Sequence, residues 1–99
     1  MLEEVQSDIL SVATSDHAHA DMVVDASQTS CRAILCEKPI ATTLADADRM
    51  IDACESAQVL LSIEHTRRWE PAYRKARDLI HSGQLGPLHT IVSAIKRAK

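Results

Sequence analysis

The side chains best suited to metal or redox chemistry in this 99-residue sequence are two histidines and three cysteines. His17 and His19 are two positions apart, so on a helix they do not share a face, and no third ligand stands beside them. The cysteines show no C-x-x-C spacing, which favours buried, reduced thiols over a redox pair. The sequence therefore predicts no metal site.

Two charged segments can take part in other chemistry. Glu37-Lys38-Pro39 follows an apolar run, and its proline ends that run because it has no amide hydrogen for a ladder. Taken alone, this tripeptide is better interpreted as a solvated turn. Arg67-Arg68 has two equally supported interpretations, a phosphate-binding site and a salt-bridged or stacked surface pair.

These residues are positioned by short apolar runs that alternate with helical patterns. Strands are predicted over residues 8–13, 33–36 and 59–63, and all three runs are apolar on both faces. Such runs, with helices between them, are typical of a parallel sheet in an α/β fold. Because crossovers between parallel strands are right-handed, both early helices should cover one face and leave the other without cover.

The helices have recognisable start and stop signals. Asp16 is predicted to cap a first helix with Ala18, Met22, Val23 and Ala26 on one face, and residues 43–46 form a capping box for a second. A third helix is predicted from Glu70 and Pro71 to the glycine at position 83. Residues 88–95 are predicted to form a last strand.

Four segments in order resemble the glucose–fructose oxidoreductase, inositol dehydrogenase and rhizopine-catabolism (Gfo/Idh/MocA) family. Residues 11–20 are similar to the strand and loop that begin the second half of its Rossmann domain. Residues 37–41 with Thr43 resemble its Glu-Lys-Pro signature, and residues 64–73 resemble the segment that joins its two domains. Residues 82–88 are similar to the turn that enters its C-terminal sheet.

The resemblance implies an oxidoreductase that moves hydride between NAD or NADP and a sugar, inositol or similar polyol. It implies that Lys38 is catalytic, holding or relaying the proton that leaves the substrate hydroxyl. Glu37 would accept from cofactor ribose hydroxyls, and the loop after the first strand would line the cofactor. The implied cofactor-binding residues are Thr14, Ser15, His19, Glu37, Lys38 and Arg68.

The same resemblance divides the chain. Residues 1–66 correspond to the C-terminal half of an NAD(P)-binding Rossmann domain, and residues 67–99 to the domain junction and the start of a C-terminal α/β domain. The G-x-G-x-x-G turn that holds the pyrophosphate is not in the sequence, so we expect no tight binding of NAD or NADP and no activity from these residues alone. Residues 29–32 and Glu64 depart from the family, which favours glycine there.

The amino-acid composition argues against one class of binding partner. A net charge of -3, one Trp, one Tyr and no Phe argue against a nucleic-acid partner. No leader or bilayer-spanning run is visible, so we expect a soluble, cytoplasmic protein. The alternative to an oxidoreductase fragment is a non-catalytic, self-associating module. In either case we expect a homodimer, formed through the edge of the first strand and the uncovered sheet face.

Overall fold

The computed structural model describes residues 6–94, which divide between His65 and Thr66 into two compact units. The first unit contains a three-stranded parallel sheet of β1 (Ile9–Val12), β2 (Ala33–Cys36) and β3 (Leu60–Ile63), in that spatial order. Helix α1 (His19–Ser27) joins β1 to β2, and α2 (Leu44–Ser56) joins β2 to β3. The predicted β-α-β-α-β arrangement of an α/β fold is confirmed.

The register of the strands assigns each apolar side chain to a face. Leu10, Ile34 and Leu61 are aligned across the sheet and belong to the core with α1 and α2. Ile9 and Leu60 are aligned in the next row and remain 69% and 67% exposed. We call the side bearing Ile9, Ser11, Ala33, Leu35, Leu60 and Ser62 the open face.

The two helices close the core at helical spacing. Val23 and Met50 are both fully buried, and each is flanked by small buried residues one turn away. The buried residues of α1 and α2 are His19, Ala20, Val23, Ala26, Ser27, Ala47, Met50 and Cys54.

Of the two predicted helix caps in the first unit, one forms and the other does not. Thr43 caps α2 as expected, because its hydroxyl accepts from the Asp46 amide at 3.1 Å. Asp16 does not cap α1, so that prediction is wrong. The Ala18 amide donates to the Ser15 carbonyl at 2.9 Å and closes a 3-10 turn over Asp16–Ala18, which delays the α-helix to His19.

The second unit begins with a 3-10 turn, Thr66–Trp69, followed by α3 (Pro71–His81). Glu70 precedes the helix with extended backbone, and Pro71 occupies its first turn as predicted. Beyond the helix end, Gly83 has a φ of 72°, the left-handed conformation that glycine adopts at little cost. The predicted strand 88–95 does not form over residues 88–94, since no described segment pairs with them, and Ile95 lies outside the described residues.

Candidate functional site

The loops that follow β1 and β2 leave the sheet side by side. The strands are parallel, so all three end at one edge, which we call the carboxyl edge. The Glu37 amide donates to the Val12 carbonyl at 2.9 Å, and the Glu64 amide donates to the Cys36 carbonyl at 2.8 Å. These bonds extend the ladder one residue past each strand. Open α/β sheets bind ligands outside this edge, so it is the candidate site.

Four of the predicted site residues present exposed side chains at the carboxyl edge. Thr14 and Ser15 follow β1, and Glu37 and Lys38 follow β2. A Glu37 carboxylate oxygen accepts from the Lys38 backbone amide at 3.2 Å, which turns that carboxylate back along its own loop. No ion pair involving the Lys38 ammonium forms within residues 6–94. Hydroxyl, carboxylate and ammonium groups are therefore available together for a polar ligand.

His19 lies beneath these loops and is only 1% exposed. Its Nδ1 is 2.8 Å from the Pro39 carbonyl oxygen, and its Nε2 is 3.2 Å from the Thr14 carbonyl oxygen. The peptide bond between Lys38 and Pro39 is cis. Both ring nitrogens face loop carbonyls, so His19 lies beneath the loops and not among the exposed groups of the edge. Its cofactor-lining role stays a prediction.

Arg68 belongs to the second unit, where it is exposed in the turn Thr66–Trp69. The other five predicted site residues all belong to the first unit. Among the ion pairs of the described chain, none includes Arg67 or Arg68. The salt-bridged interpretation of this arginine pair therefore receives no support from the geometry.

The three cysteines are free thiols, and all of them are buried. Burial raises the pKa of Cys36, and the neighbouring Glu37 carboxylate raises it further. Burial also raises the pKa of Cys54, with a smaller contribution from Cys31. A raised pKa keeps a thiol protonated and weakly nucleophilic, so Cys36 is a poor nucleophile despite its place beside the carboxyl edge.

Residues 6–94 contain neither a candidate metal cluster nor a membrane-spanning helix. No cluster of three or more His, Cys, Asp or Glu side chains in this part of the chain could hold a metal ion. Over the same residues, no helix has the length and apolar character needed to cross a bilayer.

The polar groups of the carboxyl edge are of kinds that can hydrogen-bond the hydroxyl and amide groups of a dinucleotide. They are the exposed hydroxyls at Thr14 and Ser15 and the charged pair at Glu37 and Lys38. The pyrophosphate of a dinucleotide is normally held by a glycine-rich turn at a helix start, and the sequence has only two glycines, both in the second unit. The described residues therefore offer groups for the nicotinamide end of such a cofactor and no such turn for its pyrophosphate.

The sequence is similar to those of known dehydrogenases. The chain is 40% identical over 86 residues to D-apiose dehydrogenase of Paraburkholderia graminis, covering 87% of this chain and 23% of that protein. It is 29% identical over 91 residues to myo-inositol 2-dehydrogenase of Thermotoga maritima, covering 92% of this chain and 27% of that protein. The chain thus spans about a quarter of the length of these relatives.

The fold comparison agrees with the sequence comparison. The crystal structure of the WlbA dehydrogenase from Bordetella pertussis, in complex with NADH and UDP-GlcNAcA, aligns with a TM-score of 0.82 at 30% identity, over 87% of this chain and 26% of that one. Residues 1–65 match the model of the Gfo/Idh/MocA oxidoreductases, a family with an NAD-binding Rossmann fold. With that match over most of its length and the signature at Glu37-Lys38-Pro39, this chain belongs to the Gfo/Idh/MocA oxidoreductase family.

Proposed function

We propose that these residues form the nicotinamide-facing half of the cofactor domain in an NAD(P)-dependent oxidoreductase that acts on a sugar, inositol or similar polyol. The observation that carries the proposal is the exposed Lys38 at the end of β2, beside the exposed Thr14 and Ser15 at the end of β1. Relatives named for D-apiose and myo-inositol support a polyhydroxylated substrate.

In this proposal Lys38 acts on the hydroxyl that is oxidised. A bound nicotinamide would supply the hydride acceptor. As the C–H hydrogen leaves as hydride, the O–H proton would pass to Lys38, whose ammonium has first given up one proton to solvent, and the C–O bond would become a carbonyl. The Glu37 carboxylate would accept a hydrogen bond from a ribose hydroxyl of the bound cofactor, and the Thr14 and Ser15 hydroxyls would help to orient its nicotinamide end. The proton then leaves the lysine for solvent at the exposed edge.

Replacing Lys38 by alanine tests this role in any catalytically active polypeptide that contains these residues. We expect turnover with NAD or NADP and a panel of sugars and inositols to fall about 100- to 10,000-fold, since a positioned proton-transfer group contributes that much. The melting temperature should change little because the side chain is exposed. Lys75→Ala, at an exposed position on α3, is the matched control. Near-normal turnover of Lys38→Ala would contradict the assignment.

The 99 residues alone should not bind the cofactor tightly. The pyrophosphate of a dinucleotide is normally held by a G-x-G-x-x-G turn, which this sequence does not contain. Titration calorimetry with NADH and with NADPH at millimolar concentration should give no saturable heat. A dissociation constant in the low micromolar range for either cofactor would show that another surface replaces the missing turn.

A second candidate function is self-association without catalysis, favoured by the open face. Ile9 and Leu60 expose about two thirds of their surface there, and β1 is an edge strand of the sheet. A second copy of the chain would cover both. Light scattering over a dilution series should then show a dimer that Leu60→Asp converts to monomer, while Leu44→Asp on α2 does not. A folded wild-type monomer at micromolar concentration would exclude this candidate.

We also propose that the protein works in the cytoplasm. The three cysteines are buried and free, a state that a reducing compartment maintains. Cell fractionation with an antibody to this chain should recover it with the cytoplasmic markers. Recovery with a secreted or membrane fraction would contradict the proposal.

A further inference from the structure

One side chain makes polar contacts with both loops of the candidate site. His19 begins α1, and its ring lies between the Thr14 carbonyl, which follows β1, and the Pro39 carbonyl, which follows β2. Within residues 6–94, no other side chain makes polar contacts of hydrogen-bond length with both loops. The ring is rigid and 1% exposed, so it acts as a fixed spacer between the two carbonyls.

We propose that His19 is a positioning residue that holds the Lys38 loop at a fixed place relative to the Thr14 loop. Pro39 is the next residue after Lys38, so anchoring its carbonyl restricts the backbone from which the lysine side chain extends. The value of this restriction for catalysis rests on the function proposed above. The restriction itself is a property of the first unit and can be measured without any activity.

The two contacts are not equivalent. A neutral imidazole carries one N–H donor and one acceptor lone pair, and a carbonyl oxygen can only accept. The contact of Nδ1 with the Pro39 oxygen is 2.8 Å, shorter than the 3.2 Å contact of Nε2 with the Thr14 oxygen. We therefore assign the N–H to Nδ1, since a donor approaches a carbonyl more closely than a lone pair does. The bond to Pro39 is therefore the one that anchors the Lys38 loop.

Substitution of His19 by asparagine or by glutamine tests the two contacts one at a time. The amide nitrogen of Asn can take the place of Nδ1, whereas that of Gln reaches the place of Nε2. His19→Asn should therefore keep the bond to Pro39, and His19→Gln should lose it while approaching Thr14. His19→Ala removes both contacts.

The experiment measures backbone order parameters of the 99-residue chain by NMR. In the wild type and His19→Asn we expect about 0.85 at the Lys38 amide, the value of rigid backbone, and below about 0.6 in His19→Gln. Ser27→Ala is the matched control, because Ser27 is also buried in α1 but donates to the Val24 carbonyl at the far end of the helix. It should lower the melting temperature and leave Lys38 rigid.

The outcomes separate this proposal from the proposed function. Equal behaviour of His19→Asn and His19→Gln, whether both remain rigid, both become mobile or both unfold, overturns the positioning role. Equal mobility of Lys38 in Ser27→Ala also overturns it, since a general loss of stability would then explain the effect. If the Asn and Gln variants differ as expected while Lys38→Ala keeps full turnover in an active polypeptide, the loop anchor stands and the catalytic role of Lys38 fails.

Discussion

Two isoleucines on opposite faces of the sheet should differ sharply in what they contribute to stability. Ile34 in β2 is 1% exposed and packs in the core, whereas Ile9 in β1 is 69% exposed on the open face. Replacing each by alanine removes the same atoms from the same type of element. The comparison therefore sets a buried position in the central strand against an exposed position in an edge strand.

The magnitudes follow from these exposures. A fully buried isoleucine replaced by alanine costs about 2–5 kcal/mol, because the transfer free energy is lost and a cavity remains. Full burial of such a side chain contributes about 1.5–3 kcal/mol. Ile9 is about one third buried, so Ile9→Ala should cost only about 0.5–1 kcal/mol, with no enclosed cavity. The expected difference between the variants is at least about 1 kcal/mol.

Urea unfolding followed by circular dichroism measures both free energies, with the slope on denaturant concentration expected to be unchanged. If Ile34→Ala is too unstable to fold, valine replaces alanine at both positions, with about 0.5–1.5 kcal/mol expected at Ile34 and less at Ile9. The reasoning fails if Ile9→Ala costs as much as Ile34→Ala in a sample that light scattering shows to be monomeric. A cost at Ile9 that grows with protein concentration would instead indicate that a second copy covers the open face.

Three further predictions concern a cap, two thiols and a turn. Thr43→Ala should lower the free energy of unfolding by about 0.5–2 kcal/mol, and Thr42→Ala should change it much less; equal losses on denaturant titration would contradict the cap. Folding raises the pKa values of the Cys36 and Cys54 thiols. The stability that these protonated thiols contribute is therefore intact below the pKa of the unfolded thiols, and it is lost as pH rises above about 8.5. Urea unfolding between pH 7.5 and 10 should show this decline weakened in Cys36→Ala, and an identical decline would refute it. Gly83→Ala should destabilise α3 by about 1–2 kcal/mol, because an L residue is strained at a φ of 72°, and unchanged helical circular dichroism on heating would contradict that.

The sequence alone predicted the order of the strands and helices, but not which side chains of each strand point into the core. The run at β2 was placed residue for residue, because four apolar residues are bounded by Arg32 and Glu37. Period-two alternation could not say which of Ile34 and Leu35 enters the core, since both are apolar. Only the parallel register and the position of the helices decide it. The expected strand 88–95 had β-prone residues but no partner among the described residues, and pairing, not propensity, makes a strand.

At the site, the family resemblance predicted the exposed groups but not the contact beneath them. It implied Thr14, Ser15, Glu37 and Lys38 as site residues, and the parallel sheet brings the ends of neighbouring strands to one edge. The place of His19 could not be predicted, because its partners are backbone carbonyls, which every residue has. A weak signal was present, since His19 is one turn before Val23 on the buried side of α1.

The parallel pairing of the strands has a consequence for the speed of folding. Ile9 pairs with Ala33, and Ala33 with Leu60, so every ladder joins residues more than twenty positions apart. No hairpin can nucleate this sheet, and each ladder must wait until a crossover helix has brought its strands together. During that delay the apolar strands are exposed to other chains. We therefore expect slow folding, limited by the step in which the crossovers through α1 and α2 bring the strands together. The yield of folded protein should fall as the concentration of unfolded chains rises.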